Sequence, residues 1–256
     1  MGVSNACSDA RHSLSAGGTQ FMSAATGTGK TAAFLIPLTI HISNAADTEN
    51  NVMGLVVAPI RELAIQLEME AKLLMLGIPA MRTALLIGGQ PLPPQLHRLQ
   101  TGVQLIVGTP GRVLEVFTNH CDDFAHRIRW CVLDEVDALL DTGFHSQILQ
   151  LARLFSNKST QWSFVSATIS TEVEELVREI LGSNHSYVRL RTDVPSLKCT
   201  GESYVLASDV RHSIEWADDK CKKAALFDFI NKHAHHTISH ELALICLRTQ
   251  YMSDAE

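Results

Sequence analysis

Short apolar runs alternate with longer segments of helical periodicity over most of the chain. The apolar runs, rich in valine, isoleucine and leucine, are residues 52–58, 84–87, 103–107, 130–133 and 162–165. Between them, apolar side chains recur at helical spacing in residues 61–76, 147–155 and 172–181. This alternation predicts an α/β fold, a parallel sheet with helices on both faces. Ligands bind such sheets at the carboxyl ends of the strands, so the residues directly after each run are the first functional candidates.

The pattern changes near the end of the chain. Residues 191–223 begin with few apolar side chains and end in a dense group of charges, so we predict a linker there. Residues 224–233 have helical periodicity, and residues 242–247 resemble a strand. One helix and one strand cannot form a core alone. We therefore predict a complete domain over residues 1–190 and the incomplete start of a second domain over residues 224–256.

Composition narrows the class of protein. Of the 256 residues, 46% are hydrophobic and 19% are charged, which suits a packed core and is too apolar for a disordered chain. No apolar run approaches the roughly 18 residues of a membrane span, and the N-terminal sequence does not resemble a targeting segment. The formal net charge of −6 argues against non-specific nucleic-acid binding through a basic body, but it allows a local phosphate-binding groove. We expect a soluble, intracellular monomer without membrane association, in the cytoplasm or the nucleus.

A glycine-rich segment follows a short predicted strand at residues 20–23. Residues 24–31 read AATGTGKT, and helical periodicity continues over residues 31–38. A phosphate-binding loop needs backbone N–H groups aimed at phosphates, glycines that allow close approach, a lysine for the β and γ phosphates, and a hydroxyl for Mg²⁺. The candidate phosphate-binding residues are Ala25, Thr26, Gly27, Thr28, Gly29, Lys30 and Thr31. An ordinary glycine-rich turn is the alternative, since Ala24 stands where the strict pattern has glycine.

Three acidic residues follow the apolar run that ends at Leu133. Residues 134–137 read DEVD. A carboxylate at the end of a buried strand needs a cationic partner, and Mg²⁺ bound to nucleotide phosphates is the natural one for Asp134. Glu135 is then placed to orient and deprotonate an attacking water. The alternative is a helix N-terminus with acidic residues, which the helix dipole favours but which explains one acid better than three.

Five further motifs lie after the glycine-rich segment, three of them before DEVD and two after it. In their order along the chain, the seven motifs resemble the first RecA-like domain of DEAD-box ATP-dependent RNA helicases. The motifs are PIRELA at residues 59–64, Gly88-Gly89, TPGR at residues 109–112, LLDTGF at residues 139–144, and SAT at residues 166–168. The resemblance covers about residues 15–190. It implies a RecA-like P-loop NTPase fold, ATP and Mg²⁺ as cofactors, and ATP hydrolysis coupled to RNA binding and remodelling.

The resemblance implies roles at the nucleotide site. Lys30 and Thr31 would hold the β and γ phosphates and the metal ion, and Asp134 would bind Mg²⁺ through water. Glu135 would be the catalytic base, so that Glu135, Lys30 and Asp134 form the catalytic set.

The resemblance also implies a coupling group and an RNA surface. Asp137 would connect to Ser166 and Thr168, and this link would couple the nucleotide site to closure against a second RecA-like domain. The chemistry expected along an RNA backbone is glycine N–H groups, a hydroxyl and guanidinium groups, which bind phosphate without reading bases. The residues that match the family here are Arg61, Gly89, Thr109, Gly111 and Arg112.

Several positions depart from the family pattern. Val136 replaces alanine in the acidic motif, Ile60 replaces a threonine, and Ala25 replaces the usual glutamine of the phosphate loop. The family's adenine-reading Q motif should end near Cys7, where the local sequence does not resemble PTPIQ. We therefore expect nucleotide binding to be weak.

The last residues lead to a further expectation and to two alternatives. Residues 242–256 resemble the start of a second RecA-like domain, so we expect most of that domain to be missing and the isolated chain to be inactive in unwinding. One alternative is a DNA helicase of the same superfamily. The other is a truncated, non-catalytic fragment that binds RNA or a partner.

Overall fold

The computed structural model divides the chain into two compact units, Met1–Ala207 and Ser208–Glu256. It describes residues 19–23, 29–46, 53–79, 81–155, 160–182, 187–191, 197–199, 202–204, 221, 224–225 and 227–228. The strand predicted at residues 242–247 and most of the helix predicted at residues 224–233 lie outside the described residues. The sheet and the candidate site belong to the first unit.

A seven-stranded parallel sheet, in the order β3-β4-β2-β5-β6-β1-β7, organises the first unit. Its strands are β1 (Thr19–Ser23), β2 (Met53–Val57), β3 (Thr83–Leu86), β4 (Leu105–Gly108), β5 (Ile128–Leu133), β6 (Gln161–Ser166) and β7 (Tyr187–Arg191). Each apolar run in the sequence overlaps one of these strands. The predicted parallel α/β fold is therefore confirmed.

The helices follow the strands in alternation. They are α1 (Lys30–Ala46), α2 (Arg61–Leu74), α3 (Leu92–Gln100), α4 (Pro110–Asn119), α5 (Asp122–Ala125), α6 (Val136–Asp141), α7 (His145–Leu154) and α8 (Thr171–Leu181). Helical periodicity predicted an end near residue 38 for α1, but the helix passes through Pro37 and continues to Ala46. Leu38 and Ile42 are fully buried, so packing of the apolar face outweighs the cost of an internal proline.

Helices cover both faces of the sheet, and this explains why its strands are continuous apolar runs. In β2, Leu55 and Val57 belong to the core that packs under α4, α7 and α8, whereas Val56 belongs to the core under α1 and α2. Alternate side chains of a strand point to opposite faces. When both faces are buried, every position in the strand is apolar.

The segment predicted as a linker contains two short strands. β8 (Leu197–Cys199) pairs with β9 (Glu202–Tyr204) in an antiparallel arrangement. The predicted limits of the linker and of the two domains stay predictions. Within the described residues, we find no helix that combines the length and the apolar character needed to cross a membrane.

Candidate functional site

The carboxyl ends of the strands bring the predicted site residues to one edge of the sheet in two adjacent groups. The segments predicted to bind nucleotide follow β5, β6 and β1, which are neighbours in the sheet. The segments predicted to bind RNA follow β3, β4 and β2, which are also neighbours. The two groups meet between β2 and β5. One part of this edge thus carries the acidic residues together with Lys30, and the neighbouring part carries the arginines and glycines.

The first turn of α1 faces the acidic part of this edge. Gly29 has a φ of 86°, a conformation that favours glycine. The N–H of Ala33 donates to the Gly29 carbonyl over 3.0 Å, and the helix begins at Lys30 with no acidic residue in its first turn. A helix start of this kind favours a bound anion. The predicted phosphate contacts of residues 25–28 lie outside the described residues.

Asp134 lies directly after β5 and is 5% exposed. Its backbone N–H donates to the Val57 carbonyl (2.9 Å), which fixes the residue at the end of the strand. Burial raises the pKa of the Asp134 carboxyl from its ordinary value of 3.8 to about 6, and the Glu135 carboxylate also raises it. The Glu135 backbone N–H and the Lys30 ammonium act in the opposite direction without cancelling this effect. The positive charge near Asp134 is thus too small to offset the cost of burying its ionised carboxylate.

Glu135 has a backbone conformation that its residue type rarely adopts. It is the only non-glycine residue with positive φ in the described part of the chain, at φ 49° and ψ 58°. Its N–H donates to Asp134 Oδ1 over 3.0 Å, and its carbonyl accepts from the Leu139 N–H as α6 begins. A left-handed residue of this kind carries strain of about 1–3 kcal/mol and is characteristic of functional sites. The turn ends the strand and starts the helix within two residues.

Asp137 connects the acidic motif to the end of β6. Its Oδ2 accepts hydrogen bonds from the Thr168 N–H (2.9 Å) and from Thr168 Oγ1 (2.8 Å). The Asp137 N–H donates to Ser166 Oγ over 3.4 Å. The structure therefore brings together the three residues to which the family resemblance gives a coupling role. Their effect on domain closure stays a prediction.

The donor set near Asp134 suits a magnesium ion that is shared with a ligand. Among the described residues, no three or more His, Cys, Asp or Glu side chains form a closed metal site. Mg²⁺ is typically held by one or two carboxylates together with substrate phosphates and water. Asp134 is a buried carboxylate in need of positive charge, and the Thr31 hydroxyl lies in the first turn of α1. These residues fit Mg²⁺ bound to nucleotide phosphates.

Arg61 and Gly89 are matched in shape on the other part of the edge. Gly89 has a φ of 76°, and a Cβ built on it would lie 2.8 Å from Arg61 Cζ. Only the absence of a side chain lets the guanidinium lie against this loop. Arg61 starts α2 and its side chain is exposed. The pair forms a surface where a cation stands beside accessible backbone, which suits phosphate.

Arg112 ties α4 to the same glycine loop. Its Nη1 donates to the Gln90 carbonyl (3.2 Å), and its Nε forms an ion pair with Glu115 over 3.0 Å. Thr109 is largely buried at the start of α4, and its N–H donates to the Leu86 carbonyl over 3.0 Å. The remaining RNA candidate, Gly111, lies in the first turn of α4. Sequence reasoning missed Gln90, although its position directly after a glycine doublet was an available signal.

Comparison with known sequences identifies the family. The model of the DEAD/DEAH box helicase family matches residues 7–176. The chain belongs to this family. It is 42% identical over 209 residues to the human "Probable ATP-dependent RNA helicase DDX59", covering 82% of this chain and 31% of that protein. It is 39% identical over 222 residues to "DEAD-box ATP-dependent RNA helicase 41" of Arabidopsis thaliana, covering 83% of this chain and 40% of that one.

Solved DEAD-box helicases share the fold. A structure of the DEAD-box helicase Mss116 bound to single-stranded RNA and UDP-BeF superposes with a TM-score of 0.64 at 26% identity, over 75% of this chain and 40% of that one. A hypothetical ATP-dependent RNA helicase from Sulfolobus tokodaii superposes with a TM-score of 0.61 at 27% identity, over 72% of this chain and 51% of the other. The chain therefore corresponds to only part of the length of the DEAD-box proteins it matches.

Proposed function

We propose that this chain binds ATP with Mg²⁺ and hydrolyses it, and that hydrolysis is coupled to RNA binding, as in a DEAD-box ATP-dependent RNA helicase. One observation carries the proposal. A single edge of the sheet holds a buried carboxylate beside the start of α1 and, on the neighbouring strands, exposed arginine beside glycine backbone. This arrangement suits a nucleotide and a phosphodiester backbone bound side by side.

Each residue on the acidic side has a distinct role in the proposed reaction. Lys30 and the N–H groups at the start of α1 bind the β and γ phosphates. Mg²⁺ would neutralise charge on the phosphates, and Asp134 and Thr31 are the residues that would hold it. Glu135 orients the attacking water and accepts its proton. The left-handed turn at Glu135 sets its carboxylate next to Asp134 without burying it equally.

The coupling part of the proposal rests on Asp137. Its carboxylate bonds to Thr168 and its backbone to Ser166, so a movement at the nucleotide site reaches the end of β6 through hydrogen bonds. We assign to this group the transmission of the nucleotide state to a second RecA-like domain. The RNA strand lies along Arg61, Gly89, Thr109, Gly111 and Arg112 and is bound without base specificity.

The assignment of the RNA surface can be tested with one variant that removes a positive charge and one that leaves the charge of the chain unchanged. Arg61→Ala is expected to weaken binding of two unrelated single-stranded RNAs by a similar factor, on the order of 10-fold. A plot of the logarithm of the binding constant against the logarithm of the salt concentration should also become less steep, by about one unit of slope. Gly89→Ala is expected to weaken both RNAs as well, because a Cβ there displaces the Arg61 guanidinium. Fluorescence anisotropy at several salt concentrations measures both effects.

The control for this experiment is Arg153→Ala, which removes the same charge from the exposed end of α7 and should leave RNA affinity unchanged. Single-stranded DNA of the same sequences reports whether the surface prefers RNA. A loss confined to one RNA sequence would mean that Arg61 reads bases. Full affinity in Gly89→Ala would mean that the Arg61–Gly89 contact has no part in RNA binding.

A further inference from the structure

A cavity of about 340 Å³ lies at the outer side of the sheet, next to the proposed RNA surface. It is enclosed by β3, which is the first strand in the sheet order, by the second half of α2, and by α3 with the residues before it. The polar side chains that line it are Glu68, Lys72, Thr83, Gln90, Gln95 and Arg98. A concave site on which polar groups converge is a candidate for a ligand.

Two side chains of α3 form one wall of the cavity, against the outer edge of β3. The buried Gln95 amide exchanges two hydrogen bonds with the main chain of Ile87, at 3.2 and 3.1 Å. Arg98 Nε donates to the Thr83 carbonyl over 2.8 Å. These bonds hold α3 against the strand. The second bond also orients the planar guanidinium of Arg98.

Positive charge exceeds negative charge in this cavity. Glu68 is 6% exposed, and its Oε1 accepts a hydrogen bond from Thr83 Oγ1 and forms an ion pair with Lys72 Nζ over 2.7 Å. Glu68 therefore neutralises Lys72. Arg98 is exposed, and no carboxylate pairs with it in the part of the chain that the structure describes. A guanidinium without such a partner favours an anion with several oxygen atoms, as in a phosphate group.

Gln90 connects the cavity to the proposed RNA surface. It directly follows Gly89, and its carbonyl accepts hydrogen bonds from Arg112 Nη1 over 3.2 Å and from Gln95 Nε2 over 3.4 Å. One carbonyl thus joins an arginine of the RNA surface to the wall of the cavity. A strand that is bound at Gly89 and Arg112 can therefore continue into the cavity along the protein surface.

We propose that the cavity is a further phosphate subsite, in which Arg98 binds a backbone phosphate of an RNA strand that continues from the proposed RNA surface. This inference rests on the proposed function, because the same strand is bound at Gly89. The apolar part of the lining is Leu85, Pro91 and Pro94, whose side chains have no hydrogen-bonding group with which to read a base. The subsite therefore extends the bound length of the strand without adding a sequence preference. An acidic protein segment would also satisfy Arg98, but it would not account for the position of the cavity beside the RNA surface.

The test measures binding of labelled oligouridines of about 4 to about 12 nucleotides to the 256-residue chain by fluorescence anisotropy. Arg98→Gln removes the charge but can still donate a hydrogen bond to the Thr83 carbonyl. We expect this variant to weaken binding of the longest RNA by about 5-fold and of the shortest by less than about 2-fold, because the RNA surface alone can hold a short strand. A plot of the logarithm of the binding constant against that of the salt concentration should become less steep by about 0.7 unit for the longest RNA, the value for one phosphate contact on a single strand. Arg98→Lys, which keeps the charge, should recover part of the lost affinity.

Arg153→Gln is the matched control, because Arg153 is also an exposed arginine in the last turn of a helix and lies outside the cavity. It should leave the affinity for every RNA unchanged. Thermal melts monitored by circular dichroism verify that each variant is folded.

The outcomes separate the subsite from the proposed function. Equal affinities of wild type and Arg98→Gln for the longest RNA would overturn the subsite and leave the proposed function standing. An equal loss for short and long RNA would also overturn it, since Arg98 would then act through the shape of the glycine loop. Saturable binding of a polyglutamate peptide that Arg98→Gln abolishes, with RNA affinity unchanged, would assign the cavity to an acidic protein segment instead. Absence of RNA binding by the wild-type chain would refute the proposed RNA surface and the subsite together.

Discussion

Replacing Glu135 by glutamine is expected to preserve Mg-ATP binding and to lower the rate of hydrolysis by a factor of about 10²–10⁴, the usual contribution of a general base. The amide keeps the size of the side chain and can still position water, but it cannot accept a proton. Glu135 is less buried than Asp134. Single-turnover hydrolysis, with the chain in excess over radiolabelled ATP, measures even slow rates.

Lys30→Ala is the informative contrast, because Lys30 is assigned to binding the phosphates. This variant should lose Mg-ATP affinity itself, and its hydrolysis should recover in part as the protein concentration rises. Arg153→Ala serves again as a distant control with the same loss of charge. If Glu135→Gln lost nucleotide affinity as severely as Lys30→Ala, Glu135 would be a binding residue and the assignment of the base would be wrong.

Replacing Asp134 by asparagine is expected to stabilise the ligand-free protein at pH 8 by about 2–3 kcal/mol, the free-energy equivalent of about two pKa units. The physical cause is burial, which penalises the ionised carboxylate of a 5% exposed residue. Asparagine keeps the oxygen that accepts the Glu135 N–H and removes the charge. The same variant should lose Mg²⁺-dependent nucleotide binding, so stability and function change in opposite directions.

The pH dependence follows from the raised pKa of Asp134. The folded-state value is about 6 against 3.8 for the ordinary carboxyl, so the ionised form destabilises the fold above about pH 6. The penalty shrinks as the pH falls below 6 and disappears below the unfolded-state value. Urea unfolding at pH 8 and pH 5 should therefore show a smaller advantage of Asp134→Asn at pH 5. Asp141→Asn, at an exposed position, is the control, and an equal gain there would refute the burial argument.

The parallel sheet could be predicted from the sequence because it leaves a simple signal. Strands covered on both faces become short apolar runs, as in residues 52–58, and chain order then places the following residues at one edge. The contact of Asp137 with Ser166 and Thr168 was accessible through the family resemblance rather than through spacing, because the residues are about thirty positions apart.

Other features depend on tertiary packing and left no local signal. Glutamate has no preference for the left-handed conformation, so the turn at Glu135 could not be anticipated. The continuation of α1 beyond Pro37 depends on burial of Ile42 against the sheet, which outweighs the local rule. The exposure of Leu73 and Leu76 could not be predicted for a different reason. Apolar residues at helical spacing predict a helix, but they do not distinguish the side chains that face the core from those left exposed.

The central claim is that the carboxyl edge of the sheet is a Mg-ATP site, and a calorimetric titration of the 256-residue chain with ATP tests it most directly. The titration is made with Mg²⁺, without Mg²⁺ and with the Lys30→Ala variant. We expect saturable one-to-one binding, weak in absolute terms, that requires Mg²⁺ and is lost in Lys30→Ala. Absence of binding by the wild-type chain, or equal binding by Lys30→Ala, would contradict the account.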